Sequence, residues 1–114
     1  MTPGPPQPPV VAAAAGLAEV IFALARWFNQ VATLDLALLY DRFALALRPQ
    51  FPLAQLLLAD ILSAQEKPEE SLAVLTDIAP GSTYYWSARL RGAINLDTLE
   101  RSDEAIAQLK AMSA

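Results

Sequence analysis

Residues 101–112 read RSDEAIAQLKAM. Asp103 and Glu104 supply negative charge where a helix N-terminus favours it, and Ala105, Ile106, Leu109 and Met112 recur at helical spacing. Taken alone, the stretch is one amphipathic helix. Moved back by 34 residues it falls on KPEESLAVLTDI, residues 67–78, and moved back again on TLDLALLYDRFA, residues 33–44. Ala37, Ser71 and Ala105 then share a column, each followed by a branched apolar residue, Leu38, Leu72 or Ile106. Ala44, Ile78 and Met112 share another. The last helix is therefore one copy of a unit that recurs through the chain.

The same shift aligns the residues upstream. Ala25, Ala59 and Ala93 form a second small column, preceded by Leu24, Leu58 and Gly92, and Phe28, Leu62 and Leu96 form a large apolar one. Each copy reads as a helical hairpin. Small residues such as Ala25 and Ala37 let two antiparallel helices approach closely, while Leu24, Phe28 and Leu38 fill the space around the contact. One hairpin cannot cover its own apolar face, which is why such units occur in stacked arrays.

The apolar pattern is broken at Ala32-Thr33, Arg48-Pro49-Gln50, Glu66-Lys67-Pro68, Ala79-Pro80-Gly81-Ser82 and Glu100-Arg101-Ser102, and five breaks predict six helices. Pro49 and Pro52 forbid a continuous helix, Pro68 suits a first turn, and Gly81-Ser82 predicts a C-terminal stop followed by an N-cap. Residues 3–9 hold five of the nine prolines and no charge. They predict a proline-rich disordered tail or linker over residues 1–10, a docking motif being the alternative.

Composition narrows the function. At 114 residues the size is that of one small domain, and 54% of the residues are hydrophobic, which is high for a soluble domain and leaves apolar surface for another chain. The net charge is −4, with only eight Lys and Arg, all scattered, so neither nucleic acid nor an anionic membrane surface is an expected partner. The chain has no cysteine and no histidine, which removes disulfides, ordinary zinc ligands, thiolate nucleophiles and imidazole acid/base chemistry. The apolar run Val10–Ala25 contains Glu19 and, at sixteen residues, is short for a membrane span. No basic start marks an export signal, so the compartment stays open, cytoplasmic by default and periplasmic if the chain is part of an exported protein. Glu69-Glu70 and Asp103-Glu104 are adjacent on their helices and point in different directions, so they are expected to be solvated first-turn charges and not a catalytic pair. No phosphate loop or nucleophile elbow occurs. No enzyme activity, cofactor or metal is expected.

The columns resemble the tetratricopeptide repeat, whose signature is a large residue, Leu-Gly, an aromatic, a small residue, an aromatic and a proline. In the first copy these positions are Ile21, Leu24-Ala25, Phe28, Ala37, Asp41 and Pro49; in the second, Gln55, Leu58-Ala59, Leu62, Ser71, Leu75 and Thr83; in the third, Arg89, Gly92-Ala93, Leu96, Ala105 and Leu109. The resemblance covers Gly16 to Ala114. It implies an all-α solenoid of three stacked helix-turn-helix repeats, near residues 18–51, 52–85 and 86–114, within a domain of residues 11–114. The chain departs from the signature at Asp41, at Gly92, and at Ala32, Glu66 and Glu100, which stand where the family places glycine between the paired helices. A left-handed backbone there costs about 1 kcal/mol relative to glycine.

The resemblance further implies that the first helix of each hairpin lines a concave groove that holds a peptide or helix of a partner protein. The residues it places there are Phe22, Arg26, Leu53, Leu56, Leu57, Asp60, Leu90, Arg91 and Ile94. Some relatives clamp a terminal carboxylate with five basic and amide residues; the matching positions are Phe22, Arg26, Leu57, Ser87 and Arg91, and only the last fits. A greasy floor with Arg26, Asp60 and Arg91 as polar handles suits an apolar peptide or amphipathic helix instead. The alternative is structural: the same leucines are covered by another copy of the chain or by further repeats, and the module homo-oligomerises. Tyr84-Tyr85-Trp86 poses the same choice between a recognition patch and packing between copies. With no capping helix after the third copy, Leu109 and Met112 are expected to be partly bare.

Overall fold

The computed structural model describes residues 9–113, with side chains over residues 12–111. Six α-helices account for the regular structure of the described residues: α1 Pro9–Gln30, α2 Leu34–Leu47, α3 Pro52–Ala64, α4 Pro68–Thr76, α5 Tyr85–Thr98 and α6 Ser102–Ser113. The predicted tail lies in residues outside this description, apart from Pro9 and Val10, which already belong to α1. Met112 lies outside the described side chains.

The turns between paired helices repeat in geometry as they do in sequence. Ala32, Glu66 and Glu100 have φ of 60°, 62° and 60°, the left-handed conformation that glycine adopts without strain. In each, the next amide bonds a carbonyl five residues back: Thr33 to Phe28 at 2.9 Å, Lys67 to Leu62 and Arg101 to Leu96 at 2.8 Å. The left-handed residue itself donates to Asn29, Ser63 or Asp97. This bond pair is the Schellman closure, which satisfies carbonyls that the helix end would otherwise leave unpaired.

The chain divides into two compact units, Met1–Gln50 and Phe51–Ala114. In the first, α1 packs on α2. Ala18 and Ala25 on α1, and Ala37 and Ala44 on α2, are fully buried, each pair seven residues apart and so on one face of its helix. The Phe28 and Tyr40 rings stack with centroids 5.2 Å apart, and Trp27 meets Phe28 edge-on. Glu19 and Arg48 approach to 3.7 Å at the surface. Asp41 is fully buried, and neither carboxylate oxygen has a hydrogen-bond partner. Burial pushes its carboxyl up to about 8, against the smaller opposing pull of Arg42.

α1 is longer than the apolar run in the sequence suggests. Among the described residues its Ala12–Gln30 segment is the one helical stretch long and apolar enough to cross a membrane. It carries Glu19 and Arg26 and packs on α2 along its alanines.

In the second unit each helix packs on the next, α3 on α4, α4 on α5 and α5 on α6. One core cluster joins Leu56, Ala59, Leu75, Ile78 and Ala88, with Val74 and Tyr84 against it; another joins Ala93, Leu96 and Ala105, with Leu72. α4 ends at Thr76, before the break expected from Gly81-Ser82, and Gly81 does not take positive φ. The reason is packing. Short turns at Asp77 and Ile78 let Ile78 enter the core, and the Arg89 guanidinium donates at 2.8 Å to the Leu75 carbonyl. Ser82 Oγ accepts from the Tyr84 amide at 3.1 Å, closing the loop ahead of α5 without capping the helix.

Candidate functional site

The second unit carries a cleft of about 450 Å³ between the first helices of its two hairpins, α3 and α5. Asp60 and Ser63 face it from α3, and Arg91, Ile94, Asn95 and Thr98 from α5, with Glu66 and Pro68 of the turn at one end. The helical period sets this lining, since positions 60 and 63, and 91, 94, 95 and 98, each share one side of their helix.

Opposite charges meet at one edge. Arg91 Nε donates to Asp60 Oδ1 at 2.8 Å and Nη2 to Oδ2 at 3.3 Å, and Nη1 donates to Ser87 Oγ. The two side chains are 35% and 48% exposed, so the pair contributes less than about 1 kcal/mol to stability. It does hold a donor fork and an acceptor side by side at the surface, matching the N–H and C=O of a peptide backbone.

The floor is a closed polar network. Ser71 Oγ donates to the Ala59 carbonyl at 2.7 Å and accepts from Asn95 Nδ2 at 2.9 Å, while Ser63 Oγ donates to Asn95 Oδ1 at 2.9 Å. Ser71 and Asn95 are buried, and with these bonds made they tie α3, α4 and α5 together without a desolvation penalty. Ile94, 60% exposed, is the apolar wall.

Of the nine residues assigned to a groove from sequence, Asp60, Arg91 and Ile94 meet in this cleft. Leu53 is exposed and Leu57 half-buried, on the same side of α3 as Asp60. Leu56 belongs to the core instead: it is 6% exposed and sits with Ala59, Leu75 and Ala88, because its turn of α3 faces α4 and α5. Leu90 is half exposed beside α6, lining a different groove with Ile94. Phe22 and Arg26 belong to the first unit, where Phe22 is 9% exposed and the Arg26 guanidinium lies 5.9 Å from its ring centre.

Asn95 is the residue that sequence reasoning missed. In sequence it is only an amide in a column otherwise held by Trp27 and Ile61, and its burial shows only in the structure. The aromatic run divides: Tyr84 packs on the core, Arg89 lies 5.0 Å over the Tyr85 ring, and Trp86 is 52% exposed. Glu104 is bonded to Arg101, which lowers its carboxyl. Among the described residues no cluster of three or more acidic side chains is placed to hold a metal ion. No protein-family model matches the chain, and no curated protein matches it.

Proposed function

We propose that this chain is a non-enzymatic protein-interaction module built of three tetratricopeptide-like repeats, stacked as an α-solenoid, that holds a peptide or helix of a partner protein. The α3–α5 cleft is the contact surface. The observation that carries this reading is the meeting of Asp60, Arg91 and Ile94 at one cleft, where a charged fork and acceptor flank an exposed apolar wall. Recurrence of the same left-handed turn at Ala32, Glu66 and Glu100 supports the repeat reading beneath it. The cleft suits a short segment with one branched or aromatic side chain on Ile94 and its backbone bonded to Arg91 and Asp60. A terminal carboxylate is not the favoured ligand, since Asp60 neutralises the one cation at the cleft edge.

A random peptide library displayed against the intact chain tests this. Selected peptides are expected to shift the amide resonances of α3 and α5, and to lose at least about tenfold in affinity for Arg91→Ala and Ile94→Asp. Peptides that bind both variants as tightly as the parent chain would place the binding surface elsewhere.

A further inference from the structure

Among the described residues, α1 in the first unit and the α5–α6 pair in the second each present a bare apolar surface, and the packing within the second unit shows what each is shaped to meet. There α5 seats on the α3–α4 hairpin through Ala88, Gly92 and Asn95. Ala88 enters the core cluster of Leu56 and Leu75, the Gly92 backbone lies close enough that a Cβ would be 3.4 Å from Leu72 Cδ1, and Asn95 bonds Ser63 and Ser71.

Two repeat lengths earlier, the same positions on α1 are Val20, Leu24 and Trp27, exposed by 59%, 42% and 56%. Leu17 and Val31 extend them into a stripe with alternating spacings of three and four residues, the pattern of a helix made to lie along a groove. One repeat length later, the seat formed by Leu56, Leu72 and Leu75 becomes Leu90, Ile106 and Leu109, now 50%, 50% and 43% exposed. These three wall a groove of about 280 Å³ between α5 and α6, floored by buried Ala93 and Ala105.

We propose that copies of this chain join head to tail, the α1 stripe of one seated in the α5–α6 groove of the next. The chemistry matches the change in residues. Where α5 offers an amide to serines, α1 offers indole and aliphatic groups, and the facing positions have turned apolar, Ser71 to Ala105 and Asp60 to Ile94. Ser63 is replaced by Asp97, an exposed carboxylate at the groove edge that accepts the Trp27 indole N–H in the place where Ser63 meets Asn95. Five partly exposed apolar residues on the stripe and three in the groove make a small contact, which sets the joint at the weak, reversible end of specific interfaces. A joint between unlike surfaces leaves one free stripe and one free groove on a pair of copies, so it goes on adding copies unless a ring closes.

Sedimentation of the full chain from micromolar to millimolar concentration tests this. The expected mass rises with concentration and passes two copies. Leu24→Glu on the stripe and Ile106→Glu in the groove each abolish self-association, and their equimolar mixture forms a species of two chains and no larger. Both residues are exposed, and retained helicity in circular dichroism confirms folding; Val20→Lys replaces Leu24→Glu if that variant unfolds. A chain that stays monomeric at millimolar concentration overturns the proposal. So does a mixture of the two variants that stays monomeric, or α1-dependent flotation with liposomes in place of self-association.

Discussion

Replacing Asp41 by asparagine keeps the size and polarity of the side chain and removes its ability to ionise. In the folded chain burial holds this carboxyl up to about 8, against an ordinary value of 3.8. The folded state therefore holds a proton that the unfolded state releases between those values, so stability falls as pH rises through that window and levels off above it. Each pH unit is worth about 1.4 kcal/mol, and between pH 5 and pH 7 the parent chain loses up to about 3 kcal/mol through this one group. That is a large part of the 5–15 kcal/mol typical of a whole domain. Urea denaturation followed by helical circular dichroism, run on both proteins at both pH values, isolates the effect, since every other titrating group is common to the two. The stability difference is expected to grow in favour of Asp41→Asn by about 2–3 kcal/mol from pH 5 to pH 7. Parallel pH profiles, differing by less than about 0.5 kcal/mol in slope over that range, would refute the assignment of Asp41 as a buried, neutral acid.

Four further outcomes follow from the packing. Glycine at Ala32, Glu66 or Glu100 relieves a left-handed residue, and each change is expected to add about 1 kcal/mol in urea denaturation. Asn95→Ala removes two hydrogen bonds, one from exposed Ser63 and one from Ser71, which keeps its bond to the Ala59 carbonyl, and is expected to cost about 1 kcal/mol, read as a lower denaturation midpoint. Gly92→Ala gains about 1 kcal/mol of helix propensity but sets a Cβ 2.8 Å from Gln108 Nε2, displacing that side chain from the Arg89 carbonyl; a net change within about 0.5 kcal/mol is expected, whereas Gly92→Leu meets Leu72 and costs about 2 kcal/mol or more. Asp60→Ala removes an exposed ion pair and is expected to change the midpoint by less than about 1 kcal/mol, which leaves it usable as a binding variant.

Helix boundaries were legible where backbone chemistry sets them. Pro52 and Pro68 sit in the first turns of α3 and α4, and the 34-residue register located all three left-handed turns although none holds glycine. Boundaries set by packing were not. α4 stops at Thr76 because Ile78 turns into the core and Arg89 reaches the carbonyl of Leu75, a partner fourteen residues away that no local pattern announces. The cleft was legible in part for the same reason. Asp60, Arg91 and Ile94 come from positions that the repeat resemblance assigns to a groove, whereas the burial of Leu56 depends on which neighbour covers its turn of α3. Asn95 was invisible because a polar residue in an apolar column reads as a departure until its two serines are seen beside it.

The left-handed residues at Ala32, Glu66 and Glu100 also bear on the order in which the chain folds. A glycine turn forms early, because its backbone visits that conformation freely before any helix is in place. Alanine and glutamate do so at a cost, so these turns are recruited only when the paired helices already press together, Phe28 on Tyr40 in the first hairpin and Leu96 on Ala105 in the third. The rate at which the chain acquires structure is then expected to follow collapse between paired helices and not closure of the connections.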